Sequence, residues 1–203
     1  MAVLIKSGNT LVPVNLNLTF SAAKPNNLSA FIGRTLSTYS NSYVSKIGEH
    51  AFAYCSLLTS ISCPACTFIG QYAFISCSNL VSITFPNCIS IEQLAFQNCS
   101  ALSGELSFPV CTAISYRGFL GCSSITKASF PACITIGGEA FRNCISLSSI
   151  YAPNCQEISN GAFMSCTTLV SAIFPNCSQI GTGAFSQCYS LTTLVFSGLT
   201  KIP

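Results

Sequence analysis

Residues Ile69–Ile91 read IGQYAFISCSNLVSITFPNCISI, and the same pattern runs through the chain seven times. Anchored on Ala73-Phe74, its equivalents are Ala51-Phe52, Ala95-Phe96, Gly118-Phe119, Ala140-Phe141, Ala162-Phe163 and Ala184-Phe185. Every step is 22 residues except one of 23, where a single residue is added within Ser103–Glu105. A fixed period of this length is the signature of a solenoid. One unit cannot bury its apolar face alone, and stacked units share a continuous core.

Two periodicities follow one another within the unit. In Ile69–Cys77 the apolar residues Ile69, Ala73, Phe74 and Cys77 fall at helical spacings, which predicts one or two helical turns with one buried face. In Leu80–Phe85 the spacing becomes Leu80, Ile83, Phe85 and predicts a short strand. Pro86 ends that strand because it has no N–H to give to a ladder. Cys88 and Ile91 then turn the chain back into the core. Each coil is expected to be a strand, a turn and a short helical segment.

The LxxIxFxxCxxI run of Leu80–Ile91 matches the leucine-rich-repeat frame, with Cys where Asn is usual and one residue more before the last apolar position. Together with the IGxxAFxxC half, the unit resembles the BspA-like leucine-rich-repeat family of bacterial and protozoan surface proteins, over roughly residues 44–202. The resemblance implies an α/β solenoid: a curved, right-handed coil with a parallel sheet on one face and short helical turns on the other. It also implies a role in adhesion or other surface contact, and hence an extracellular or cell-surface location. It supplies no catalytic residues and no cofactor.

At 203 residues, 50% hydrophobic, the chain has material for one domain with a continuous core. Its formal net charge of +3 is spread thinly and forms no basic stripe, which argues against nucleic acid as a partner. No apolar run reaches the length of a membrane span. Met1–Phe20 lacks the basic start and unbroken apolar stretch of a signal peptide, leaving open a removed signal, another export route, or release by lysis.

All but one of the fourteen cysteines keep the period. Cys55, Cys77, Cys99, Cys122, Cys144, Cys166 and Cys188 follow the Phe; Cys66, Cys88, Cys111, Cys133, Cys155 and Cys177 follow the Pro. Stacked at about the strand spacing of 4.8 Å, they form two inward ladders. The even total is compatible with a disulfide framework or a metal site, but a small apolar side chain fits such a position, and free buried thiols are the favoured reading. Cys63 is the exception. It completes a CxxC with Cys66 but stands where other units place Phe85, Phe108, Phe130 and Phe174, so it reads as core filling.

Residues 1–43 lie outside the repeat and read as an N-terminal cap or attachment segment, with residues 44–203 carrying the seven units. Ala2–Ile5 and Leu11–Phe20 are apolar segments separated by the turn-like Lys6–Thr10. Val14, Leu16, Leu18 and Phe20 alternate with polar residues as in a half-buried strand. In the last unit Ser197 replaces the Pro and Leu199 the second-ladder Cys. A longer array, an end covered by another molecule, and a minimal cap are all open there. The sequons at Asn17, Asn27, Asn98 and Asn176 matter only in a glycosylating host.

His50 is the single histidine and occupies a column shared with Tyr72, Leu94, Arg117 and Glu139, a variable site expected to be exposed. Glu49 and Glu139 sit many coils apart, too far for an acid–base pair. No phosphate loop, nucleophile elbow or HExxH is present, so no enzyme activity is expected.

Function is expected on the residues that project from the sheet between the inward ones. The face residues singled out for binding are Glu105, Lys127, Ser149, Tyr151, Ser171, Ile173, Thr193 and Val195. Glu105 and Lys127 are its charges; Tyr151, Ile173 and Val195 make an apolar patch of the kind that marks contacts. A solvated hydroxyl face with no ligand fits the same residues. Two functions follow: an adhesion or recognition module for a protein or glycan ligand, or a structural subunit that self-assembles end to end in a filament or appendage.

Overall fold

The computed structural model describes residues 36–199, together with the backbone of the strands Leu4–Ser7 and Thr10–Pro13. These two strands pair antiparallel, with Leu4 opposite Pro13 and Ser7 opposite Thr10, so the polar cluster Lys6–Thr10 contributes to both. The alternating stretch Val14–Phe20, most of Ser21–Ser42 and the last residues from Thr200 on lie outside the described residues.

The coils stack as a parallel β-solenoid of about seven turns. Its face sheet takes one strand from each coil. Thr38–Ser40, Ser60–Ser62 and Ser82–Thr84 form a three-stranded group. Gly104–Ser107, Ile125–Ser129, Ser149–Tyr151, Ser171–Phe174 and Thr193–Phe196 form a five-stranded group. The face sheet thus takes its first strand from within the segment read as non-repeat, and Tyr39 there is buried against Phe52, with ring centroids 5.2 Å apart. A second, seven-stranded flank sheet is built from two-residue strands, Lys46–Ile47 through Gln179–Ile180. Its register stacks Ile47, Ile69, Ile91, Ile114, Ile136, Ile158 and Ile180 in one column. Two-residue periodicity explains both sheets: Ile61, Leu106, Ala128, Ile150 and Ala172 point inward while their neighbours face solvent.

The expected helical turns do not form; among the described residues there is no helix. In the segment Gly70–Cys77, the N–H groups of Ala73, Ile75 and Cys77 close four-residue turns onto the carbonyls of Gly70, Tyr72 and Phe74, at 3.2, 3.1 and 3.1 Å. The intervening N–H groups of Tyr72, Phe74 and Ser76 instead reach the next coil, at Gln93, Ala95 and Gln97, over 3.1, 2.7 and 2.7 Å. Tyr72 and Ser76 sit in the left-handed region at φ 56° and 57°, and the spacing recurs as His50/Tyr54, Leu94/Asn98 and Glu139/Asn143. The cause is the coil rise. The stacked phenylalanines Phe52, Phe74, Phe96, Phe119, Phe141, Phe163 and Phe185 repeat at 4.9–5.4 Å with ring planes within 10° of parallel. Helices pack about 8–10 Å apart and keep their N–H groups for themselves. A coil rising by half that distance has no room for one and needs its N–H groups for the neighbour.

Both cysteine ladders are buried as free thiols; Cys188 in the last coil is half-buried. In the first ladder each thiol from Cys77 to Cys188 donates to a Phe carbonyl of the preceding coil, as in Cys77 to Phe52 (2.9 Å) and Cys122 to Phe96 (3.1 Å). In the second each donates two residues on, as in Cys88 to Ser90 and Cys155 to Glu157, both at 3.3 Å. Cysteine is therefore more than a small filler here: it gives a weak donor to a carbonyl that the coil leaves an acceptor short of saturation. Cys63 is fully buried, and burial pushes its thiol up to about 12, as suits core filling rather than redox chemistry.

Candidate functional site

The parallel ladder fixes the outward columns of the face sheet. Glu105, Lys127, Ser149, Ser171 and Thr193 are register partners in one column. Ser107, Ser129, Tyr151, Ile173 and Val195 form the other. All eight residues singled out from the sequence therefore share one face, in two adjacent files. Tyr151 keeps 48% of its surface exposed and Val195 38%, with Ile173 half-buried between them. Val170, one strand position away from Ser171, is also exposed at 44%. Glu105 and Lys127 are direct register partners, yet no ion pair joins them among the described residues.

The face sheet is interrupted between Ser82–Thr84 and Gly104–Ser107. The added residue of the 23-residue step falls here, and Gly104 takes φ +79°. Ile83, whose counterparts Ile61, Leu106 and Ile150 are fully buried, is only half-buried. A cleft of about 90 Å³ opens between the strands, lined by Ser82, Ile83, Phe85, Leu102, Ser103, Glu105, Leu106, Ser107 and Phe108. The single irregular step was visible in the sequence; that it would part the sheet was not. A shallower groove of about 250 Å³ runs along Glu157, Ser159, Asn160 and Gln179 on the flank sheet.

The turn side carries a second group of charges. Arg117 Nε donates to Glu139 Oε2 at 2.9 Å, and Arg142 Nη1 lies 3.3 Å from the same oxygen. The Arg117 guanidinium also covers the Tyr116 ring at 4.7 Å. Sequence reasoning treated this column as variable surface, although the 22-residue separation of Arg117 and Glu139 already made them neighbours in adjacent coils. His50 stacks on Tyr72 at 4.6 Å and lies 3.5 Å from the Glu49 carboxylate. Among the described residues, no three of His, Cys, Asp and Glu gather as a metal site, and no helix is long and apolar enough to cross a membrane.

A stacked, parallel coil with a polar exposed sheet and an apolar interior defines a leucine-rich-repeat solenoid. The model of the BspA type leucine rich repeat region matches with six copies, over residues 27–135 and 112–203. The chain belongs to this family, whose repeat and fold typically carry interaction rather than catalysis. Among solved structures it is similar to the leucine-rich repeat protein of T. pallidum, with 27% identity and TM-score 0.72, covering 77% of this chain and 78% of that one. A leucine-rich cell surface protein from Faecalibacterium prausnitzii is 28% identical at TM-score 0.73; the match covers 81% of this chain and 48% of that one. A leucine-rich repeat protein from Eubacterium ventriosum is 27% identical at TM-score 0.61, covering 84% and 45%. The chain thus spans about half the length of the latter two. No curated protein matches.

Proposed function

We propose that this chain is a non-catalytic recognition module that docks on a protein or glycan at a cell surface through its face sheet. The observation that carries the reading is the file Tyr151, Ile173, Val195, an apolar strip with exposed ends and a half-buried centre, held in register on three hydrogen-bonded strands. On a surface rich in Ser and Thr, such a strip supplies the desolvated anchor that interfaces need, while Glu105 and Lys127 fix orientation at its edge. Tyr151 and Ile173 stand on strands with ladders on both sides and Val195 on the edge strand beside them, so little ordering opposes binding. The family membership and the cell-surface relative support an extracellular place of action.

The test screens the purified chain against immobilised surface glycoproteins and a glycan array. Tyr151→Glu and Ile173→Glu are then measured on whichever ligand is bound. Each change places a charge on the strip, and a loss of at least about tenfold in affinity is expected. Unchanged affinity in both variants, with the fold intact by circular dichroism, sinks the proposed face.

A further inference from the structure

The parted strands of the face sheet leave hydrogen-bonding groups facing one another across a gap. At one end the Ser103 N–H reaches the Val81 carbonyl at 3.2 Å; at the other the Thr112 N–H reaches Ile89 at 2.9 Å. Between these points, among the described residues, no backbone hydrogen bond joins Ser82–Phe85 to Gly104–Phe108. In neighbouring coils the N–H groups equivalent to that of Phe85 are paired: Cys63 to Thr84 at 3.0 Å, Phe108 to Ser129 at 3.0 Å, Phe130 to Tyr151 at 2.9 Å. Ladder alternation aims the N–H and C=O groups of Ile83, Glu105 and Ser107 into the same gap.

The gap is local. Phe96 stacks on Phe74 at 4.9 Å and on Phe119 at 5.1 Å, and the flank strands Ser90–Ile91 and Ala113–Ile114 stay in register. A whole inserted strand needs two strand spacings, about 9.6 Å, which these contacts forbid. The cleft of about 90 Å³ is smaller than the roughly 150 Å³ cavity that takes benzene. It suits a group of a few heavy atoms. Its floor is apolar, from Ile83 and Leu106, and its walls offer both donors and acceptors.

We propose that this seam is a binding slot for the side-chain carboxamide of an Asn or Gln on a protein partner. An amide oxygen accepts from the free N–H groups while its NH2 donates to the free carbonyls, and its methylenes lie on Ile83 and Leu106. A carboxylate has nothing to donate and meets Glu105 at the rim; an ammonium has nothing to accept. The slot deepens the reading of the face sheet as a recognition surface and rests on it for its biological role.

The experiment titrates the isotope-labelled full chain with acetamide, acetate and N-acetylglucosamine, following backbone amide resonances. Acetamide is expected to give saturable shifts at Ile83, Phe85, Glu105 and Ser107, with acetate giving none. Deleting Gly104, which restores the 22-residue step, is expected to abolish them. Should that variant fail to fold, hydrogen exchange on the unaltered chain decides: these four amides should exchange at least about tenfold faster than those of Cys63 and Ile150. Equal protection, equal shifts with acetate, or tighter binding of N-acetylglucosamine than of acetamide would each overturn the proposal. If the seam amides stay unmoved while Tyr151→Glu still abolishes partner binding, the slot falls and the face reading stands.

Discussion

Deleting Gly104 should make the protein more stable. The deletion leaves Leu102-Ser103-Glu105-Leu106-Ser107-Phe108, which has the same spacing as Leu80-Val81-Ser82-Ile83-Thr84-Phe85. By the register of the intact coils, three bonds then form: Ile83 N–H to Glu105, Ser107 N–H to Ile83, and Phe85 N–H to Ser107. These groups now meet water, so each bond contributes only about 1 kcal/mol net. Completing the burial of Ile83 contributes about 1 kcal/mol more. Losing a glycine at φ +79° removes its unfolded-state entropy as well. The sum is a gain of about 4–5 kcal/mol. Urea unfolding of both proteins measures it as a higher midpoint at unchanged slope. A midpoint that falls or does not move would refute the argument, because it would mean that the strands on either side of Gly104 cannot close.

The buried thiols predict sensitivity to alkali. Burial raises ten of them above the ordinary value of 9.0, among them Cys63, Cys111, Cys144 and Cys155 at about 12. Their contribution is full below pH 9 and is lost as pH rises toward 12, because the unfolded chain ionises first. The ten shifts act in the same direction, so stability falls as pH rises through 9, and a thermal midpoint that stays flat from pH 7 to 10 would contradict this. The phenylalanine ladder predicts a gradient along the solenoid. Phe119→Ala, which removes a fully buried ring stacked on both sides, should cost about 3–5 kcal/mol by urea unfolding. Phe185→Ala, half-buried in the last coil, should cost clearly less. Equal losses would show that ladder position does not matter.

The candidate face was legible in the sequence because strand alternation is strict. Once Ile83, Ile150 and their equivalents point inward, Tyr151 and its neighbours must point outward, and the period puts Tyr151, Ile173 and Val195 side by side. The Arg117–Glu139 pair follows from the same 22-residue arithmetic, and Arg142 joins it from three residues further along the chain. The helical turns were misread for a physical reason. Apolar residues three and four apart suit a helix, and they equally suit overlapping four-residue turns that bury the same side chains. Only the distance to the next coil separates the two.

What the sequence determined by itself is the solenoid: its period, its inward ladders of Phe, Ile and Cys, and the outward face. Each of these depends on residue type at a fixed spacing, and burial of apolar side chains translates spacing directly into position. What only the tertiary structure decided is how the backbone hydrogen bonds are shared between coils. A rise near 5 Å recruits alternate N–H groups of Gly70–Cys77 to the neighbour and excludes a helix there. One extra residue at Ser103–Glu105 keeps every apolar ladder in place while parting the sheet beside it. The side chains announce the ladders; the N–H and C=O groups, identical at almost every residue, reveal their partners only once the coils are stacked.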